Sequence, residues 1–176
     1  MISLLDEEHT RAIKELWTEL DRDFGVRRLS IILPYPHYSY QVARQYDEQQ
    51  LVACIEDLAR RTAPFRVTAG GLALFTGAHP VLYIPVLRTL ALSQFQQTVC
   101  DTISSAGVGI SPFYTPETWV PHITLAEHDL QRESLARIVA RLYERELFWE
   151  IAIDNLAIIW DSGTAQEVRY RFDFRE

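Results

Sequence analysis

Two tetrapeptides, His37-Tyr38-Ser39-Tyr40 and His122-Ile123-Thr124-Leu125, each set an imidazole two residues before a hydroxyl. On an extended strand, residues i and i+2 share a face about 7 Å apart, so each tetrapeptide presents the two groups side by side. Tyr38, Tyr40, Ile123 and Leu125 then point the other way. If the two strands meet about a pseudo-twofold axis, two imidazoles and two hydroxyls converge on one cleft. That set suits in-line displacement at a phosphodiester, which needs a base on the attacking oxygen and an acid on the leaving oxygen, placed opposite each other. Two neutral hydroxyls can donate to the nonbridging oxygens between them. Either tetrapeptide alone is weak, because a lone strand histidine is more often a satisfied polar residue. The matched pair is what points to chemistry.

The elements that must carry these residues follow from the hydrophobic period. Ile13, Leu16, Trp17, Leu20 and Phe24 predict a helix over about Asp6 to Phe24, with acidic residues at its start and Gly25 as its stop. Val26 to Leu33 and His37 to Tyr40 read as two strand segments bent by Pro34 and Pro36. A helix is expected from about Glu48 to Arg61, capped by Asp47. From Pro64 the period becomes two, predicting a three-stranded meander over Phe65–Thr68, Leu72–Thr76 and Val81–Val86, with glycine turns between. Thr89 to about Ala106 reads as a third helix stopped by Gly107, followed by a proline-rich loop with Phe113 and Tyr114. Trp119 to Ala126 reads as a strand and Asp129 to about Glu146 as a fourth helix. Glu150–Trp160 and Glu167–Phe174 read as strands around a turn at 161–165. Interspersed helices and hairpins predict an α+β fold with mostly antiparallel sheet. Each half holds a His-x-Ser/Thr-x strand followed by a helix and further strands, a twofold duplication.

Composition limits the alternatives. The chain has 176 residues, 48% of them hydrophobic, enough for one domain with an unaided core. Seventeen basic against 24 acidic residues leave a formal charge of -7, which argues against tracking along duplex nucleic acid or binding an anionic membrane. Lys14 is the only lysine, weighing against a lysine nucleophile. Cys54 and Cys100 have neither redox nor zinc spacing, and no histidine or carboxylate cluster calls for a metal. No apolar run is long enough for a membrane span and the N-terminus is acidic, so a cytoplasmic monomer is expected.

With Trp119-Val-Pro-His-Ile-Thr-Leu-Ala126, the 85-residue separation of His37 and His122, and the order Pro64-Phe65-Arg66-Val67, Phe75, Val81–Val86, the sequence resembles the two-histidine (2H) phosphoesterases. That superfamily includes the 2'-5' RNA ligases and cyclic phosphodiesterases. The resemblance covers about Leu29 to Phe174, with Ser39 standing where threonine is commoner. It implies a single 2H domain of two lobes with a central cleft and helices outside, preceded by the extra helix at about 6–24. It further implies His37 and His122 as acid and base, Ser39 and Thr124 as phosphate ligands, and no cofactor. His122 would deprotonate water and His37 protonate the departing ribose oxygen of a 2',3'-cyclic phosphate on a small nucleotide or RNA end. The pseudo-symmetry leaves the reverse assignment open, and ligation would be the reverse reaction. Tyr114, Phe113, Tyr35 and Trp119 are candidates for stacking a base, with core roles as the alternative. Arg169 and Arg171 project from one face of the last strand, where a phosphate contact and a solvated face are the two readings, the solvated face being the commoner role. His9, on the polar side of the first helix, His79, in a turn, and His128, at the end of the second motif's strand, are assigned no chemistry. The rival readings are a binding module of the same fold without turnover, and two strands that match by coincidence.

Overall fold

The computed structural model describes residues 1–32, 35–163 and 165–175. Its long helices form where apolar side chains recur at helical spacing, and in three of the four a polar side chain caps the first turn. In α1 (Glu7–Phe24), Asp6 accepts from the His9 amide at 2.9 Å, and Gly25, at φ 71°, closes the other end. Ile13, Leu16, Trp17 and Leu20 form its buried stripe, contributing about 1.5–3 kcal/mol each. Asp47 and Thr89 cap α3 (Glu48–Arg60) and α4 (Leu90–Ile103) in the same way. The remaining long helix is α5 (Arg132–Leu142).

The segment expected as a strand from Val26 to Leu33 is instead a short helix, α2 (Arg28–Ile32). Its cap comes from 100 residues away, because one Asp129 oxygen accepts from the backbone N–H groups of Arg27 and Arg28, both at 2.8 Å. His128 takes a left-handed φ of 61° just before it. Asp129→Ala is expected to cost about 0.5–2 kcal/mol of stability in urea denaturation. The bend expected at Pro34, and Thr164 in the last turn, lie outside the described residues.

The strands form two lobes. In the first, β11 (Gln166–Asp173), β10 (Asn155–Asp161), β1 (Ile2–Leu4) and β2 (His37–Ser39) make one antiparallel sheet with β2 at its edge. In the second, β5 (Ala73–Phe75), β6 (Val81–Pro85) and β8 (His122–Glu127) make another with β8 at its edge. The pair β4 (Phe65–Gly70) and β9 (Phe148–Ile153) joins the second lobe through a bridge from Ala69 to Val86, and β3 (Ala43–Tyr46) pairs with β7 (Gly107–Ile110).

Three expectations change here. The meander fails at its first turn, because β4 pairs with β9 and not with β5. Gly70 permits this approach, since a Cβ there would meet the Phe148 ring at 2.7 Å. The single strand expected from Glu150 to Trp160 breaks at Asp154, where the chain crosses from one lobe to the other. Gly107 does not stop α4; a 3-10 turn at Ser104–Ala106 does, and Gly107 opens β7. The lobes are therefore not successive halves of the chain. C-terminal strands complete the sheet of the first tetrapeptide, and the middle of the chain builds that of the second. One buried apolar cluster, including Tyr38, Tyr40, Trp119, Ile123 and Leu125, runs through both. No helix among the described residues is long and apolar enough to cross a membrane.

Candidate active site

The two tetrapeptides lie on the edge strands β2 and β8, which face each other across the junction of the lobes. Burial alternates as the two-residue period requires. Tyr38, Ile123 and Leu125 are buried, while His37, Ser39, His122 and Thr124 are partly exposed.

The imidazoles are held alike. His37 Nδ1 lies 2.9 Å from the Tyr35 carbonyl oxygen, and His122 Nδ1 lies 2.7 Å from that of Val120. A carbonyl only accepts, so each Nδ1 carries the proton and donates, leaving Nε2 as the free nitrogen of each ring. Burial pulls His37 down to about 4, and the neighbouring His122 adds to that depression. His122 is also lowered by burial, against the opposing bond to Val120. Phe75 meets the His122 ring edge-on at 5.0 Å and Tyr83 lies 5.1 Å from it, fixing its plane.

Edge strands leave backbone carbonyls unpaired, and here two indoles answer them. Trp119 Nε1 donates to the Ser39 carbonyl at 2.7 Å, and Trp17 Nε1 to the Thr124 carbonyl at 3.2 Å. The backbone of each hydroxyl residue is thus anchored by a tryptophan from elsewhere in the chain. Behind β2, Tyr40 bonds Tyr38 at 2.7 Å and Ser3 at 2.9 Å, and Ser3 donates to the Asn155 carbonyl at 2.6 Å. The Thr124 hydroxyl has no partner among the described residues, while Ser39 interacts with the Tyr114 phenol.

A cleft of ≈ 600 Å³ opens at His122, lined also by Phe75, His79, Phe113, Tyr114 and Glu127. Of the four aromatic candidates, Phe113 (75% exposed) and Tyr114 reach this cleft. Tyr35 is exposed and is not among its lining residues; its carbonyl holds His37. Trp119 is corrected: at 1% exposure, with its N–H committed to Ser39, it cannot stack a ligand and acts as an anchor. Arg88 steadies it, donating to the Trp119 and Pro116 carbonyls with its guanidinium 6.0 Å over the indole. Arg169 pairs with Glu48 and covers Trp160, and Arg171 pairs with Asp154 and Asp173, so neither is free for a phosphate. His9 is buried against Asp6 and not on a polar face. Among the described residues, no group of three or more His, Cys, Asp or Glu is placed to hold a metal ion. A groove between α1 and α5 is larger, at ≈ 650 Å³, but it is shallow, and Arg141 and Arg145 there are taken by Glu19.

The sequence profile of the 2'-5' RNA ligase superfamily matches residues 6–165, a span containing both tetrapeptides. The chain belongs to that superfamily, as the paired motifs led one to expect. A Bacillus mycoides (strain KBAB4) protein named "Putative phosphoesterase" is 25% identical over 137 residues, covering 73% of this chain and 73% of that one. A Bacillus cereus (strain ATCC 10987 / NRS 248) protein of the same name is also 25% identical over 137 residues, with 73% of each chain covered. The crystal structure of TT0787 of Thermus thermophilus superposes with a TM-score of 0.64 at 19% identity, covering 99% of this chain and 96% of that one, which is a likeness of fold.

Proposed function

We propose that the protein is a phosphoesterase that hydrolyses 2',3'-cyclic phosphates of small nucleotides or RNA ends by acid–base catalysis between His37 and His122. The observation that carries this reading is the matched tethering of both Nδ1 atoms, which frees both Nε2 atoms at the junction of two edge strands. In this scheme His122 Nε2 takes a proton from water as its oxygen attacks phosphorus. The P–O bond to the ribose oxygen breaks opposite, and protonated His37 Nε2 delivers its proton there, leaving a monoester. The Ser39 and Thr124 hydroxyls donate to the nonbridging oxygens. The two imidazoles supply both proton transfers, so no step is assigned to a metal. With the hydroxyl of a second RNA end in place of the attacking water, the same displacement forms a P–O bond to that end as the bond to the departing ribose oxygen breaks, and so joins the two ends.

Two expected outcomes test the roles. On a p-nitrophenyl phosphodiester, whose leaving group needs no proton, His37→Ala is expected to keep most activity while His122→Ala loses it; the opposite pattern would exchange the roles. The pH profile is the second. Above both pKa values neither imidazole can donate, and below both neither can accept. Because burial holds both below 6.5, one at about 4, kcat/KM is expected to be bell-shaped with its maximum between those values. The optimum near neutrality that ordinary histidines predict is moved to the acid side; a maximum at pH 7 or above would contradict this. The reading as a whole is tested by assaying 2',3'-cyclic nucleotides and cyclic-phosphate-ended oligonucleotides with wild type beside His122→Ala.

A further inference from the structure

Glu127 ends β8 on the face where alternation from His122 would not place it. By parity it should follow Ile123 and Leu125 into the core. Pairing with β6 shifts register instead: Leu82 faces Ala126 while Tyr83 faces Thr124, so Leu125 is an extra residue. Such a bulge reverses the alternation beyond it. Leu125 and Ala126 are both buried, and Glu127 returns to the partly exposed face of His122 and Thr124, where it lines the cleft with His122.

The carboxylate delivered there has no hydrogen bond or ion pair from any described residue. Burial raises its pKa, eased by the charges of His128 and Arg28 and reinforced by those of Asp161 and Asp129. A half-buried group that only accepts, with no donor of its own, is complementary to a ligand that brings donors. At about 3.3 Å per residue, less the bulge, Glu127 lies roughly 13 Å along the strand from His122. Side chains reaching in from both ends leave a span on the scale of a nucleoside phosphate. Phe75, Phe113 and Tyr114 supply flat apolar surface along it.

Resting on the cyclic-phosphodiester reading above, we propose that Glu127 selects the base of the substrate, its two oxygens accepting the paired N–H donors of a guanine Watson–Crick edge while Phe113 and Tyr114 flank the ring. Guanine alone among the four bases has two adjacent donors on that edge. Adenine and cytosine set an acceptor beside the amino group, and uracil sets one donor between two carbonyls. A carboxylate opposite those acceptors is repelled.

The test compares kcat/KM for guanosine, inosine and adenosine 2',3'-cyclic phosphates in wild type and Glu127→Gln. Isothermal titration of guanosine and adenosine 3'-monophosphate runs in parallel. Wild type is expected to favour guanosine over adenosine by about tenfold or more, the discrimination a bidentate pair gives, with inosine between them. Glu127→Gln should lose most of that ratio, through KM. Equal rates on all bases in wild type, or an equal loss on all bases in the variant, would overturn the proposal and leave the hydrolytic reading standing. Guanosine-selective binding lost in Glu127→Gln, with no turnover of any cyclic phosphate, would support the base subsite and sink the hydrolytic reading. Neither turnover nor selective binding would sink both.

Discussion

His37→Ala and His122→Ala are each expected to lower kcat on a 2',3'-cyclic nucleotide by about 100-fold or more, without loss of the folded state. Each ring is partly exposed and makes a single hydrogen bond to a carbonyl that water can replace, so the penalty falls on proton transfer and not on the core. The two losses should not multiply in the double variant, because an acid without its base, or a base without its acid, already fails to complete the displacement. Unchanged circular dichroism and thermal midpoint in both single variants, beside the collapse in turnover, would separate chemistry from stability.

The second large effect is at Trp119. Trp119→Ala is expected to cost about 3–5 kcal/mol in urea denaturation, since the indole is 1% exposed, stacks on Tyr40 at 6.0 Å, and its removal leaves a cavity between the lobes. Trp119→Phe keeps most of the apolar volume and removes the donor to the Ser39 carbonyl. It should cost about 1–3 kcal/mol, the range for an unsatisfied buried partner. It should also lower kcat on cyclic nucleotides, because the strand that presents His37 and Ser39 loses its anchor. A Trp119→Phe protein as stable and active as wild type would show that the indole hydrogen bond does not position β2.

The parts legible in the sequence were those with local causes. Helices α1, α3 and α4 announce themselves by apolar spacing and by Asp6, Asp47 and Thr89 at their starts. The tetrapeptides announce a shared face because a strand alternates strictly. Long-range partners are what stayed hidden. Helix α2 depends on Asp129, the pairing of β4 depends on β9, and β1 is three residues, too short to show a period. Trp119 reads from composition equally well as a stacking platform or as core, and only its burial and its bond to Ser39 decide. The place of Glu127 in the cleft lining is hidden because the Leu125 bulge lies in the pairing of β8 with β6, not in the order of the residues. The charge of -7 is compatible with the proposed hold on one terminal phosphate by imidazoles and hydroxyls, which requires no basic surface.

Phosphorus-31 NMR of a 2',3'-cyclic nucleotide incubated with the protein tests the central claim most directly. Wild type is expected to convert the cyclic phosphate resonance to that of a single monoester isomer, with no such conversion by His37→Ala or His122→Ala over the same time. Conversion that survives either substitution at the wild-type rate, or a cyclic resonance that wild type leaves untouched, would contradict it.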